Sequence, residues 1–136
     1  MPGVRSRADD GFTLVELLVV MIVVGILAAI AVPVFIAQKS KAADAAVKTD
    51  LRTIAQSEET YFTDYERYLA VSTTSSPTII DPIRLSPDVS VQVKLNAAGS
   101  SYCIIGSSTR TSNVWVHVSD AGGQQSKGVT ACPSGF

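Results

Sequence analysis

At 136 residues the chain has room for one small domain in addition to any extended N-terminal element. Its 11 Lys+Arg and 12 Asp+Glu give a net charge of -1, which argues against a dedicated nucleic-acid binder with a basic stripe. Hydrophobic residues make up 46% of the chain and crowd into its first third, leaving a Ser/Thr/Gly-rich remainder.

From Leu17 to Ala37 there is no charged residue. As a helix this stretch of roughly 21 residues covers about 31 Å, enough for the hydrocarbon core of a bilayer. It is apolar on every face, unlike a one-sided surface helix. One reading is a secretory signal, with Arg5 and Arg7 as its basic region and Ala29-Ile30-Ala31 as a small-residue cleavage site. Against it, Asp9 and Asp10 precede the run, Glu16 lies at its start, and the run continues past Ala31. A second reading is a plain single-span anchor. The positive-inside rule does not orient it, because Arg5 and Arg7 compete with Lys39, Lys41 and Lys48.

A third reading accounts for these oddities. Residues 11–16 read GFTLVE and continue as LLVVMIVVGILAAIAVPVF. This block, from Gly11 to about Val34, resembles the N-terminus of type IV prepilins and the related pseudopilins. The resemblance implies a leader at 1–11, cut between Gly11 and Phe12 by a prepilin peptidase that also N-methylates Phe12. It implies a membrane or filament-core helix at 12–38 and a globular head at 39–136 outside the membrane. It implies as partners other pilin subunits, an assembly platform protein and its ATPase, and as location the cell membrane before assembly and an extracellular pilus after it.

Glu16 matches the family's assembly glutamate. A carboxylate at the centre of a bilayer costs roughly 2.5–3.5 kcal/mol, and less near an interface, so it needs a partner. Leader cleavage would expose the Phe12 amine, mostly positive with a reference pKa near 8. Pairing of Glu16 with a neighbour's Phe12 amine would set register more than stability, since desolvation offsets much of the attraction. The alternative is a solvated Glu16 at headgroup level. Gly25 and Pro33 weaken the helix, Pro33 by its missing N–H and Gly25 by about 1 kcal/mol relative to Ala. The resemblance implies helix melting between them on assembly, and a simple kink is the alternative.

Beyond Lys39, an amphipathic helix is expected over 39–68. Ala43, Val47, Leu51, Ile54, Tyr61 and Tyr65 form its apolar stripe, while Lys48, Asp50, Arg52, Glu59 and Asp64 face water. Residues 69–88, with Pro77, Pro82 and Pro87, read as a connecting loop. Val89, Val91, Val93 and Leu95 alternate with polar residues as a strand, followed by strands at Tyr102–Ile105 and around Val114, Val116 and Val118. The expected fold is α+β, a long helix against an antiparallel meander of about three strands, as in the heads of pilins. Cys103 and Cys132, in a small membrane-linked domain, read as a disulfide, with two buried thiols as the alternative. The bond would staple the irregular tail from Gly122 to Phe136.

No catalytic chemistry is legible. His117, the single histidine, reads as a surface strand residue, and the Glu58-Glu59 carboxylates point apart. No phosphate loop or metal spacing occurs, so no enzyme activity, cofactor or metal is expected. The functional reading is a type IV pilus subunit for adhesion, twitching or DNA uptake. The alternatives are a pseudopilin of a type II secretion or competence system and a secreted or anchored binding domain. Secretion pseudopilins resembling this N-terminus carry a calcium loop near the C-terminus. Here Asp120 is the one acidic side chain after Asn96, which favours the pilin.

Overall fold

Between Pro33 and Pro77 the sequence holds neither glycine nor proline, and the two weak positions before that do not interrupt the helix. Helix α1 runs from Leu14 to Tyr65, 52 residues, with Pro33 inside it. The computed structural model describes residues 11–79 and 81–136, so the expected leader lies, up to residue 10, outside the described residues. The chain divides into two units, Met1–Ala37 and Gln38–Phe136.

In the first unit every described side chain is exposed, including Leu17, Ile22, Leu27 and Ile30. An 18-residue window of this part of α1 averages a hydropathy of 3.1 with none of it buried. By length and composition it can cross a membrane.

In the second unit α1 becomes amphipathic. Ala43, Val47, Leu51, Ile54, Ala55 and Tyr61 are buried at steps of three, four and seven. They pack on one face of a sheet ordered β1-β2-β3-β4-β5, each neighbour antiparallel. The strands are β1 Val71–Thr74, β2 Val89–Leu95, β3 Tyr102–Ser108, β4 Val114–Val118 and β5 Gly123–Gln124. The alternation that marked β2 is its burial pattern: Val89, Val91 and Val93 point to the helix and join Tyr102, Ile104 and Trp115 in the main core. Gly106, opposite Trp115 in the register, lets helix and sheet approach closely. A Cβ there would sit 2.8 Å from Val47 Cγ1 and 2.9 Å from Leu51 Cδ2.

The other face of the sheet forms a second apolar cluster. Cys103, Val116 and Val118 are buried beneath the tail residues Val129, Cys132 and Phe136. Cys103 and Cys132 are disulfide-bonded, closing a separation of 29 residues. The sheet is therefore covered on both faces, by α1 on one and by the stapled tail on the other.

Five strands replace the expected three. β1 falls inside the segment expected as a loop at 69–88, and β5 inside the tail. β1 (VSTT) lacks apolar alternation and pairs irregularly, at Val71↔Val93 and Thr74↔Val91. β5 is two residues long, too short to show a period. The helix stops at Tyr65, short of residue 68, because Glu66 adopts a left-handed φ of 55° while its N–H bonds the Phe62 carbonyl at 2.8 Å. Tyr65, expected in the stripe, is 57% exposed in this last turn, where its ring lies 4.5 Å from that of Tyr61.

Candidate processing and assembly site

Glycine and phenylalanine at 11 and 12 precede the helix and are exposed, Phe12 to 84%. Thr13 is the residue before the first helical one, Leu14, and its hydroxyl accepts the Glu16 N–H at 3.2 Å. Glu16 reaches back: its Oε2 accepts the Thr13 N–H at 3.0 Å and the Thr13 hydroxyl at 2.8 Å. This is a reciprocal capping box, in which two otherwise orphaned backbone donors at the helix start are satisfied and a negative charge sits at the positive end of the helix dipole. The T-x-x-E spacing of Thr13 and Glu16 was legible in the sequence as a helix-start signal. The role of Thr13 is the part that reading GFTLVE as a motif missed.

Gly25 and Pro33 lie downstream on the same apolar stretch. A Cβ at Gly25 would meet nothing within 4 Å, so no packing inside the chain demands a glycine there. The helix is continuous through both positions.

Three carboxylates of the head's helix, by contrast, hold its connections. Asp44 accepts from Asn113 Nδ2 at 2.7 Å and from Trp115 Nε1 at 3.2 Å. Asp50, expected to face water, is 6% exposed and accepts the Ser86 N–H at 2.8 Å. Glu58 is fully buried and accepts the Leu69 N–H at 2.9 Å, while its Oε1 has no partner. Burial pushes the Glu58 carboxyl up to about 7; the Leu69 N–H opposes that shift and the neighbouring Glu59 carboxylate adds to it. Glu59 points elsewhere, accepting from the Tyr102 hydroxyl at 2.9 Å and the Tyr68 hydroxyl at 3.3 Å. The two carboxylates therefore part, and both serve the fold.

His117 is not on the surface face. It lies opposite Ile104 in the register, on the helix side, half-buried, with its ring parallel to Tyr102 at 6.2 Å and Nδ1 buried without a partner. Burial, reinforced by the nearby Arg52 charge, lowers its pKa. It borders an open groove of about 540 Å³ with Arg52, Gln56, Glu59 and Ser119. The sequence placed His117 outward because Val114, Val116 and Val118 look like the core-facing set. In fact those valines face the tail or rim, and the strand is apolar on both sides. Among the described residues no cluster of three or more His, Cys, Asp and Glu is placed to hold a metal ion.

Residues 6–32 match the family described as the prokaryotic N-terminal methylation motif. The chain is 32% identical over 100 residues to the type IV wide pilus major component PilA4 of Thermus thermophilus, covering 73% of each protein. It is 40% identical over 60 residues to the type IV major pilin protein PilA of Myxococcus xanthus, 44% of this chain and 27% of that one. Over 64 residues it is 36% identical to the type II secretion system core protein G of Pseudomonas aeruginosa, 47% of this chain and 45% of that protein. The match thus spans less than half the length of the last two relatives.

Proposed function

The chain belongs to the type IV pilin family, and from that premise we propose that it is a structural subunit of a type IV pilus. It enters the membrane through the apolar part of α1, with residues 39–136 outside. A prepilin peptidase cuts between Gly11 and Phe12 and N-methylates Phe12. The mature chain then polymerises with copies of itself or related pilins, driven by an assembly platform protein and its ATPase. In the filament, Glu16 pairs with the Phe12 amine of a neighbour, and the helix softens between Gly25 and Pro33. The filament lies outside the cell, and the chain acts by assembly and not by catalysis.

The observation that carries this reading is the exposed apolar first half of α1, preceded by Gly11 and Phe12 and capped through Glu16, which overlaps the stretch matched by the methylation motif. An apolar surface of that extent needs lipid or other helices to cover it. The test is the mass and N-terminal sequence of the mature protein from its native membrane. A chain beginning at methylated Phe12 is expected; one beginning after Ala31, or an uncut chain, would exclude prepilin processing.

A second reading, a pseudopilin, is favoured by the match to the secretion protein of P. aeruginosa. Against it stand the disulfide-stapled tail and the single acidic residue, Asp120, after Asn96. A calcium-dependent rise in the melting temperature would reverse that preference.

A further inference from the structure

Along the head's part of α1, Arg52, Gln56 and Glu59 follow one another at steps of four and three, on one face of the helix. They line the open groove of about 540 Å³, whose sheet wall is formed by Tyr102, His117 and Ser119. Arg52 and Glu59 lie two turns apart, about 10.5 Å along the axis. Charges of opposite sign therefore stand at the two ends of one groove, with an uncharged amide between them.

The sheet wall is ordered in the same sense. Gly106 lies under Val47 and Leu51, and the Tyr102 hydroxyl reaches the Ala55 carbonyl and Glu59, so β3 runs against the direction of α1. His117, opposite Ile104 in the register, is on the Arg52 side of Tyr102, close enough for the guanidinium charge to bear on its imidazole. Ser119, whose hydroxyl oxygen accepts the Tyr102 N–H at 3.0 Å, marks the Glu59 end.

These groups have bonding capacity to spare. Neither Arg52 nor Glu59 is in an ion pair among the described residues. The Tyr102 and Tyr68 hydroxyls fix the Glu59 carboxylate in place, but they are neutral and leave each of its oxygens a further lone pair. On the sheet wall, His117 Nδ1 and both amide atoms of Gln124, its partner across β4 and β5, are buried without a hydrogen bond. Turning these groups to a ligand forfeits no internal bond and gives a partner to atoms that are costly to leave bare.

We propose that this groove binds a short peptide by its two free termini, the carboxylate at Arg52 and His117 and the ammonium at Glu59. An anion alone would be repelled by Glu59, a cation alone by Arg52, and a neutral ligand would answer neither charge. A dipolar ligand answers both when its own charges are as far apart as theirs. A single amino acid is too short, whereas an extended chain of about three residues, at about 3.4 Å each, covers the distance. The groove's volume is within the range of about 300–1,000 Å³ usual for small-ligand sites, and Gln56 lies at mid-length to meet the peptide amides. The proposal concerns a single head and does not rest on the pilus reading.

The experiment titrates trialanine into the full, disulfide-bonded chain in detergent, read by calorimetry and by the His117 ring resonances in NMR. Trialanine is expected to bind and to shift those resonances. N-acetyl-trialanine and trialanine amide are each expected to bind about tenfold more weakly. Arg52→Gln should abolish the effect of amidation and keep that of acetylation, and Glu59→Gln should do the reverse. No binding up to millimolar peptide, or binding that leaves the His117 resonances unmoved, overturns the site. Undiminished binding of the acetylated form would make the groove a carboxylate site, and of the amidated form an amine site; either also overturns the dipolar ligand. Should Glu59→Gln loosen the head, seen as a lowered melting temperature, the capped peptides on the wild type decide.

Discussion

Glu16 has two separable tasks, a local one seen in its hydrogen bonds to Thr13 and a proposed one toward the amine of another subunit. Glutamine can serve in a capping box as glutamate does, but carries no charge. Glu16→Gln is therefore expected to keep the helix start and abolish filaments, while Glu16→Val loses both. Normal filament counts for Glu16→Gln by electron microscopy would reduce Glu16 to a cap. Glu58 offers a second residue-scale test. With the folded carboxyl raised to about 7 from an ordinary 4.5, the folded state binds the proton more tightly than the unfolded chain. Its contribution is thus fully present below about 4.5 and is lost as pH rises through about 7, by up to about 3 kcal/mol. His117 acts in the opposite sense, its lowered pKa favouring the fold above its ordinary 6.5 and losing that contribution as pH falls. Glu58→Gln should flatten the fall in the head's melting temperature between pH 6 and 8, measured on the full chain in detergent; an unchanged slope would assign it to another group.

Among the elements, the contact of α1 with β3 depends on a missing side chain. Gly106 is buried beneath Val47 and Leu51, and a methyl group there would lie closer than 3.0 Å to both. Leucine can turn aside, but the β-branched Val47 is held in its rotamer by the helix. Gly106→Ala is expected to destabilise the head by about 1–3 kcal/mol, read as an earlier denaturant midpoint, with filament loss only as a consequence. A midpoint at or above that of the wild type would mean that helix and strand can part at little cost. One-sided burial writes a repeat into the head's part of α1 and into β2, while the apolar start of α1 and β3–β4 were legible as apolar, β-branched or unbroken runs. β1 and β5 were not legible, since each is held by pairing with a neighbour already in place and neither buries an apolar row of its own.

For the molecule as a whole, the tail is what closes the outer face of the sheet. The Cys103–Cys132 bond holds it there over Val116 and Val118. Cys132→Ser should cost about 3.5 kcal/mol on the chain-entropy account. It should also raise binding of a hydrophobic dye by the head, because the freed tail uncovers that cluster; unaltered dye binding would mean that packing alone holds it. The sequence by itself determined the apolar half of α1, its opening on Gly11, Phe12 and Glu16, the amphipathic half, the three longer strands and the cysteine pair. Each of these leaves a local period, run or spacing. Only the tertiary structure decided that Asp44, Asp50 and Glu58 turn inward to hold the 111–115, 86 and 69 connections, that His117 faces the helix, and that Gly106 must be bare. The carboxylates' partners lie 11 to 71 residues away, and a carboxylate that accepts from a distant backbone or side-chain N–H looks, along the chain, the same as one that faces water.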